Sequence, residues 1–205
     1  LCHVTEKQNL WFAFATFLSL FLIFVVIYPL ANSGIFGGGS DRDDSINLAG
    51  RALLGGRYPY DVTNYLGNSP HPLEHLPASI VLALPFVLLG NAAYQNLFWL
   101  FLFYLAMKEY YQNGRLALLL LWAIFCLCPT VLQQFVTGGD RIASSICVAL
   151  FILFAVKSWG EKRRGWVKLV SSVLLGIGLS LRPNFLLLSP LVFSTMAERV
   201  GWKEA

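Results

Sequence analysis

Charge is what this sequence has least of: Asp, Glu, Lys and Arg make up 13% of its 205 residues, whereas 57% are hydrophobic. Soluble domains are only about half apolar, so this composition argues against an ordinary soluble protein. The four cysteines form no CxxC pair and no Cys/His pattern with the spacing of a zinc site. The composition therefore indicates a membrane protein, and its cysteines indicate no metal site.

Long apolar runs account for most of the chain. The first, residues 9–31, contains no charged residue and exceeds the roughly 20 residues that cross a bilayer as a helix. We expect it to be retained, because a signal peptide has a shorter apolar core and a small-residue cleavage site, whereas this run ends in the helix stop "YPLANSG". With five later runs it predicts an all-α polytopic protein with about six transmembrane helices, at residues 9–31, 92–107, 116–136, 142–156, 169–181 and 184–197.

One apolar run is too short to be counted as a span. Residues 76–90 include Pro77 and Pro85, and this length and proline content suit an interfacial or re-entrant helix. We therefore predict that residues 32–91 form a first outer loop with juxtamembrane helices. The whole chain, residues 1–205, is expected to be a single transmembrane module.

Basic residues predict the orientation of this module. Ten of the 15 Lys and Arg residues fall in the N-terminus and in alternate connections, which the positive-inside rule places in the cytoplasm. We expect a multi-pass protein of the plasma (inner) membrane with a cytoplasmic N-terminus. The opposite, extracytoplasmic face then carries five arginines, no lysine and all five aspartates: Asp41, Asp43, Asp44, Asp61 and Asp140.

The first outer loop contains a predicted amphipathic helix, "DDSINLAGRALL", at residues 43–54. Its acidic start complements the helix dipole, and its polar and apolar residues recur at helical spacing. One side carries Asp44, Asn47 and Arg51, and another carries Ile46, Ala49 and Leu53. An interfacial helix with merely solvated charges is the alternative interpretation.

Two further outer helix ends carry charges. Asp140 and Arg141 follow "TGG", and Arg182 begins "RPN". Ionisable groups at membrane depth are costly and indicate a functional site. An Asp can accept a proton from a hydroxyl or bind a divalent cation, and an Arg can clamp a phosphate. This combination suggests a lipid-phosphate donor.

The rest of the first loop allows two further hypotheses. Tyr60 lies in "RYPY", where aromatic residues either rest at the membrane interface or stack on a sugar. His71, Glu74 and His75 in "HPLEH" can share a helical face and bind a metal, although Pro72 lies between them. A divalent metal ion is thus a candidate cofactor, with Asp43 and Asp140 as additional candidate ligands.

These motifs, in this order, resemble the membrane module of GT-C type glycosyltransferases, the superfamily of polyprenyl-phosphate-dependent mannosyl- and arabinosyltransferases. That family has a catalytic Asp in the first outer loop, followed by a small-residue helix, as in "DDSINLAGRALLGGRYPY". A Pro-bounded juxtamembrane helix follows, as in "SPHPLEHLPASIVLALPFVLLG", and a second loop Asp, as in "TGGDR". "SLRPNFLLLSP" resembles the family's later basic-plus-proline element.

The resemblance implies transfer of a sugar from a polyprenyl-phosphate donor to a lipid or glycan acceptor on the extracytoplasmic side. Asp43 is the best match for the loop aspartate that acts as base or positions the acceptor, and Asp44 is its rival. Asp140 would be the second acidic residue and would bind acceptor or metal. The implied substrate-binding residues are Asn47, Arg51, Arg57, Tyr60, Arg141 and Arg182.

Other functions stay open at this point. A transporter or lipid-handling protein is possible with the same charges, but we find no internal repeat of the kind such proteins often have. An inactive GT-C-like scaffold is the third interpretation. Membrane lipids are expected partners, and nucleic acid is not, because topology explains the basic clusters. Since GT-C enzymes usually continue with more helices, we expect the chain to be the N-terminal part of a longer protein.

Overall fold

The computed structural model describes residues 6–33, 35, 41–61, 75–161 and 163–200. Within these residues the secondary structure is entirely helical, which confirms the all-α prediction. The α-helices are α1 (Glu6–Ala31), α2 (Arg42–Leu54), α3 (Pro77–Leu88), α4 (Gln95–Tyr111), α5 (Gly114–Leu127), α6 (Pro129–Val136), α7 (Arg141–Gly160), α8 (Gly165–Leu179) and α9 (Ser189–Val200). Two 3-10 helices, Ala92–Tyr94 and Pro183–Leu188, precede α4 and α9.

Two helices in the described residues are long and apolar enough to cross a membrane, Gln8–Ala31 and Arg141–Gly160. The number rises to four if two interrupted pairs are each counted as one span, Pro77–Leu88 with Ala92–Tyr111 and Gly114–Leu127 with Pro129–Val136. The expectation of six spans is therefore not confirmed.

Several of the predicted spans are not continuous α-helices. The run of residues 116–136 is divided into α5 and α6, which are bent by 91° at Cys128. Pro129 at the start of α6 explains this break, because proline disfavours the helical conformation in the preceding residue and has no N–H to donate. The run of residues 184–197 likewise begins as the 3-10 helix Pro183–Leu188, and α9 starts only at Ser189.

The helices belong to two compact units, and the first comprises the described residues of 1–44 and 90–143. Aromatic rings form its interior. Phe135 of α6 is fully buried and lies between Phe24 of α1 and Phe125 of α5, with ring centroids 5.7 and 5.5 Å away. The indole N–H of Trp122 also donates to the Thr16 hydroxyl at 3.3 Å. These contacts hold α1, α5 and α6 together.

The second unit comprises the described residues of 45–89 and 144–205. Gly50 allows α2 to approach α3, since a Cβ at residue 50 would lie 2.9 Å from a Val87 methyl group. Gly178 of α8 similarly accommodates the Phe151 ring of α7. A separate buried cluster joins α7, α8 and α9 and consists of Ala155, Leu175, Leu179, Val192 and Met196.

Candidate functional site

A buried carboxylate begins α2. Asp43 is 1% exposed, and the Tyr28 hydroxyl near the end of α1 donates a hydrogen bond to its Oδ2. Asn91 Nδ2 donates to the Tyr28 hydroxyl oxygen at 2.6 Å, and Asn91 Oδ1 accepts from the Ala93 amide at 2.9 Å. Because Asn91 is itself fixed by the backbone, the Tyr28 proton is directed to Asp43. We call Tyr28, Asp43 and Asn91 the Asp43 network.

The turn between α6 and α7 lies against this network. Gly138 has a φ of +77°, and a Cβ there would lie 2.5 Å from Tyr28 Cε2 and 2.9 Å from Asp43 Oδ2. Asn96 of α4 donates to the Gly139 carbonyl at 3.0 Å. The turn is therefore fixed close to the carboxylate, and only glycine at residue 138 permits that approach.

The same turn presents a second buried carboxylate, Asp140, which is 1% exposed. Arg42, the residue before Asp43, places its Nη1 3.8 Å from Asp140 Oδ1. Gly138 lies against Asp43, and Asp140 pairs with Arg42, the residue next to Asp43. The two acidic residues predicted from separate loops therefore lie near each other. All of these contacts lie within the first compact unit.

The pKa of Asp43 is raised from 3.8 to about 6. Burial is the largest cause, and the nearby charge of Asp44 adds to it. The hydrogen bond from Tyr28 and the backbone amides of Asp43 and Asp44 act in the opposite direction. A carboxyl group with a pKa near 6 is ionised at neutral pH and is a stronger base than an ordinary Asp.

Asp43 retains one oxygen that can accept a proton. Oδ2 accepts from Tyr28, whereas Oδ1 is buried and accepts no hydrogen bond of good geometry among the described residues. A buried polar atom in this state is unusual and costs stability unless a ligand or water satisfies it. Oδ1 is therefore the atom of Asp43 best suited to receive a proton or to bind a cation.

The structure distinguishes the two rival aspartates. Helix α2 is present as predicted, but Asp44 and Arg51 are exposed, whereas Asp43 and Asn47 are buried. Asp43 is thus the one that lies in the candidate site. Arg141 is exposed, and it is Arg42, which was not among the predicted substrate-binding residues, that pairs with Asp140.

The remaining predicted residues belong to the second unit. Arg57 is exposed, and Tyr60 is half-buried and donates its hydroxyl proton to the His75 carbonyl at 2.6 Å. Arg182 is half-buried and immediately precedes the 3-10 helix Pro183–Leu188.

The predicted metal site is only partly described. His71 and Glu74 lie outside the described residues, and His75 is buried. Among the residues that are described, no group of three His, Cys, Asp or Glu side chains could hold a metal ion. Asp43 and Asp140 supply oxygen ligands of the kind that Mg²⁺ accepts, but Mg²⁺ would need water or substrate for most of its six positions. The metal prediction stays a prediction.

Sequence reasoning missed four residues of this site: Tyr28, Arg42, Asn91 and Gly138. Tyr28 precedes Pro29 in "YPLA", which indicated only the end of a span. Asn91 follows Gly90 in "GNAAY", a pattern that indicates a helix cap, and its side chain does cap the following turn. Gly138 lies in "TGGD", where a pair of glycines is consistent with an ordinary turn before Asp140 and does not indicate a contact with Asp43.

Comparisons with known proteins identify no relative: no protein-family model, no curated protein and no solved structure matches this chain.

Proposed function

We propose that this protein is a membrane glycosyltransferase that transfers a sugar from a polyprenyl-phosphate donor to a hydroxyl acceptor, with Asp43 as the general base. The observation that carries the proposal is a buried Asp with a raised pKa, oriented by Tyr28 and close to an Arg–Asp pair. Such perturbed carboxyl groups are concentrated at catalytic sites. The resemblance of the loop motifs to GT-C enzymes supplies the substrate class.

In this reaction the acceptor hydroxyl gives its proton to Oδ1 of Asp43 as its oxygen bonds to the anomeric carbon. The bond from that carbon to the phosphate oxygen breaks, and polyprenyl phosphate leaves with the electron pair. Attack opposite the leaving group inverts the anomeric configuration. A positioned base of this kind contributes about 10²- to 10⁴-fold to a rate.

Arg42 and Asp140 have a separate role in the proposal. Arg42 is 21% exposed in its side chain and can turn from Asp140 to the departing phosphate, whose charge a guanidinium stabilises through parallel hydrogen bonds. Asp140 then holds Arg42 in place between turnovers. Because Asp43 is buried, acceptor binding must open a path to Oδ1.

The proposed topology places this site at the extracytoplasmic face of a multi-pass protein. The proposed topology has six apolar runs as spans and a cytoplasmic N-terminus. The positive-inside rule favours it because the connections rich in basic residues are then cytoplasmic. The end of α1, the start of α2 and the turn between α6 and α7 then lie on the same outer side. Cysteine accessibility tested from each side of sealed vesicles, at residues 57 and 164, would determine this orientation.

The activity can be tested with the purified chain in lipid nanodiscs and a panel of polyprenyl-phosphate hexoses and pentoses. Release of polyprenyl phosphate, with and without a divalent cation, is the measurement. We expect release with at least one donor, and we expect Asp43→Asn to lower its rate at least about 100-fold.

Asp44→Asn is the matched control, since it removes the same charge from the neighbouring, exposed residue. Its rate should stay within about threefold of the unmodified protein. Release that is unaffected by Asp43→Asn, or absent with every donor, would refute the proposal. A chelator that abolishes release would show that a cation takes part, and Asp140→Asn would then be expected to weaken its binding.

A further inference from the structure

A second polar site lies in the first compact unit, at the start of α1 and the end of α4, whereas the Asp43 network lies at the end of α1 and before the start of α4. It is a cavity of about 860 Å³ between the start of α1, the end of α4 and the start of α5. Its volume is within the range of sites that bind small molecules. The lining includes Asn9, Leu10, Leu105, Lys108, Glu109 and Arg115.

A tight turn brings two cations to this cavity. Gln112 adopts a left-handed conformation with a φ of 50°, and Asn113 caps α5 by accepting from the Arg115 and Leu116 amides. As a result the Lys108 side chain lies over the start of α5, with its Cδ 3.9 Å from where a Gly114 Cβ would be. Lys108 and Arg115 therefore line the same cavity from consecutive helices.

The Arg115 side chain is held in place, because its Nε donates to Asn9 Oδ1 of α1 at 3.2 Å. Glu109 also lines the cavity, so the charged side chains of the lining carry a net charge of +1. Two cations with polar amides nearby are the groups that bind a phosphate.

The cavity also has an apolar border. Leu10 is 68% exposed and Leu105 is 41% exposed, and both line the cavity. On α1 the exposed apolar surface continues from Leu10 through Trp11, Phe12 and Phe14. A free phosphate ion has no apolar surface to place against this border. A phospholipid has two apolar chains as well as a polar headgroup.

We infer that this cavity binds the phosphate headgroup of an anionic phospholipid, with the acyl chains along the exposed apolar residues of α1 and α4. Basic pockets between the cytoplasmic ends of helices are suited to such headgroups. In the proposed topology this end of the unit faces the cytoplasm, but the inference rests on the cavity and does not depend on glycosyl transfer.

Native mass spectrometry of the purified full chain tests this inference with phosphatidylglycerol, phosphatidylcholine and inorganic phosphate as probes. We expect phosphatidylglycerol to remain bound at concentrations at which phosphatidylcholine is lost. Lys108→Gln combined with Arg115→Gln should weaken phosphatidylglycerol binding at least about tenfold, since each basic residue near a lipid surface contributes substantially to the binding of anionic lipid.

Lys157→Gln combined with Arg164→Gln is the matched control. It removes the same two charges from exposed residues that do not line the cavity, and in the proposed topology it does so on the same membrane face. If loss of the Arg115 bond to Asn9 impairs folding of the double variant, Lys108→Gln alone replaces it, because Lys108 is exposed.

Three results would overturn the inference. One is equal retention of the two lipids by the unmodified protein, which would exclude headgroup selection. Another is an equal loss of binding in the control variant, which would indicate a non-specific charge effect. The third is displacement of phosphatidylglycerol by inorganic phosphate at a similar concentration, which would identify the site as one for free phosphate.

Discussion

The Tyr28 hydroxyl donates a hydrogen bond to Oδ2 of Asp43 and so joins the end of α1 to the first turn of α2. The bond gives the carboxylate a fixed orientation and favours its charged form, against the effect of burial. Asn91 holds the Tyr28 oxygen from the other side at 2.6 Å. Burial therefore disfavours the charged form of Asp43, and the hydrogen bond from Tyr28 partly offsets this cost. The protonation of Asp43 should affect both the stability and the activity of the protein.

Asp43→Asn should stabilise the protein at neutral pH. The folded state binds the Asp43 proton more tightly than the unfolded state. The pKa of Asp43 is about 6 in the folded protein, whereas the ordinary Asp value of 3.8 applies to the unfolded chain. The contribution of Asp43 to the free energy of unfolding therefore falls as pH rises from about 4 to about 6, and then levels off. The two pKa values correspond to about 3 kcal/mol at pH 7.

Thermal unfolding in nanodiscs between pH 4 and pH 8 measures this effect. The Tm advantage of Asp43→Asn over the unmodified protein should be small near pH 4 and reach roughly 5 to 10 °C above pH 6.5. Asp44→Asn, at an exposed residue, should show no comparable trend. A difference that does not vary with pH would mean that Asp43 is not a buried, titrating group.

Tyr28→Phe should raise the pH at which the proposed glycosyl transfer reaches half of its maximal rate. The substitution removes the hydrogen bond that lowers the pKa of Asp43, so this pKa should rise above about 6. Hydrogen bonds to charged groups contribute about 1.5–3 kcal/mol, which corresponds to an upward change of about one to two pH units.

The measurement is the pH dependence of kcat/KM, and the pH dependence of Tm should change in the same direction. Tyr94→Phe is the control, because Tyr94 is 42% exposed and its ring packs at the edge of Phe24 in the same unit. A half-maximal pH that is unchanged in Tyr28→Phe would show that Tyr28 does not act through Asp43.

Helix α2 could be predicted from sequence, but the buried aspartate in it could not. Asp43 and Asp44 are adjacent, so they point about 100° apart on the helix, and either could have faced a partner. The choice depends on Tyr28 and Gly138, which are 15 and 95 residues away from Asp43. Neither stands out locally, since Tyr28 lies in an apolar run and Gly138 in an ordinary turn.

The break between α5 and α6 has a similar explanation. Residues 116–136 are long and apolar enough for one span, and Pro129 alone does not decide between a kink and a new helix. The burial of Phe135 between Phe24 and Phe125 favours the bent arrangement, because these rings meet only through tertiary packing. Apolar length predicts that a segment is helical, but it does not predict where the segment turns.

Phe135→Ala should destabilise the first compact unit by about 3 kcal/mol or more, because the fully buried ring would leave a cavity among its aromatic neighbours. Phe12→Ala removes the same atoms from a side chain that is 61% exposed, and it should change stability by less than about 1 kcal/mol. Thermal unfolding of both variants in nanodiscs gives the comparison. Equal losses of Tm would contradict the arrangement of α1, α5 and α6 described above.

Gly138→Ala should be more destabilising than the same substitution at Gly56. Both glycines have positive φ, +77° and +70°, and alanine there costs about 1 kcal/mol through the backbone alone. Nothing lies within 4 Å of a Cβ at residue 56, whereas a Cβ at residue 138 would contact Tyr28 Cε2, Asp43 Oδ2 and Ala93 Cβ at 2.5, 2.9 and 3.0 Å.

Relief of these contacts must move the turn away from the Asp43 network, which costs roughly 1–3 kcal/mol more, as overpacking does elsewhere. Gly56→Ala thus measures the backbone cost, and the additional loss of Tm in Gly138→Ala measures the close approach. Gly138→Ala should also lower kcat at temperatures at which it is still folded, because Asp43 and Tyr28 are displaced together. If both variants lose the same stability, the turn between α6 and α7 does not press on the carboxylate, and its place in the site would have to be abandoned.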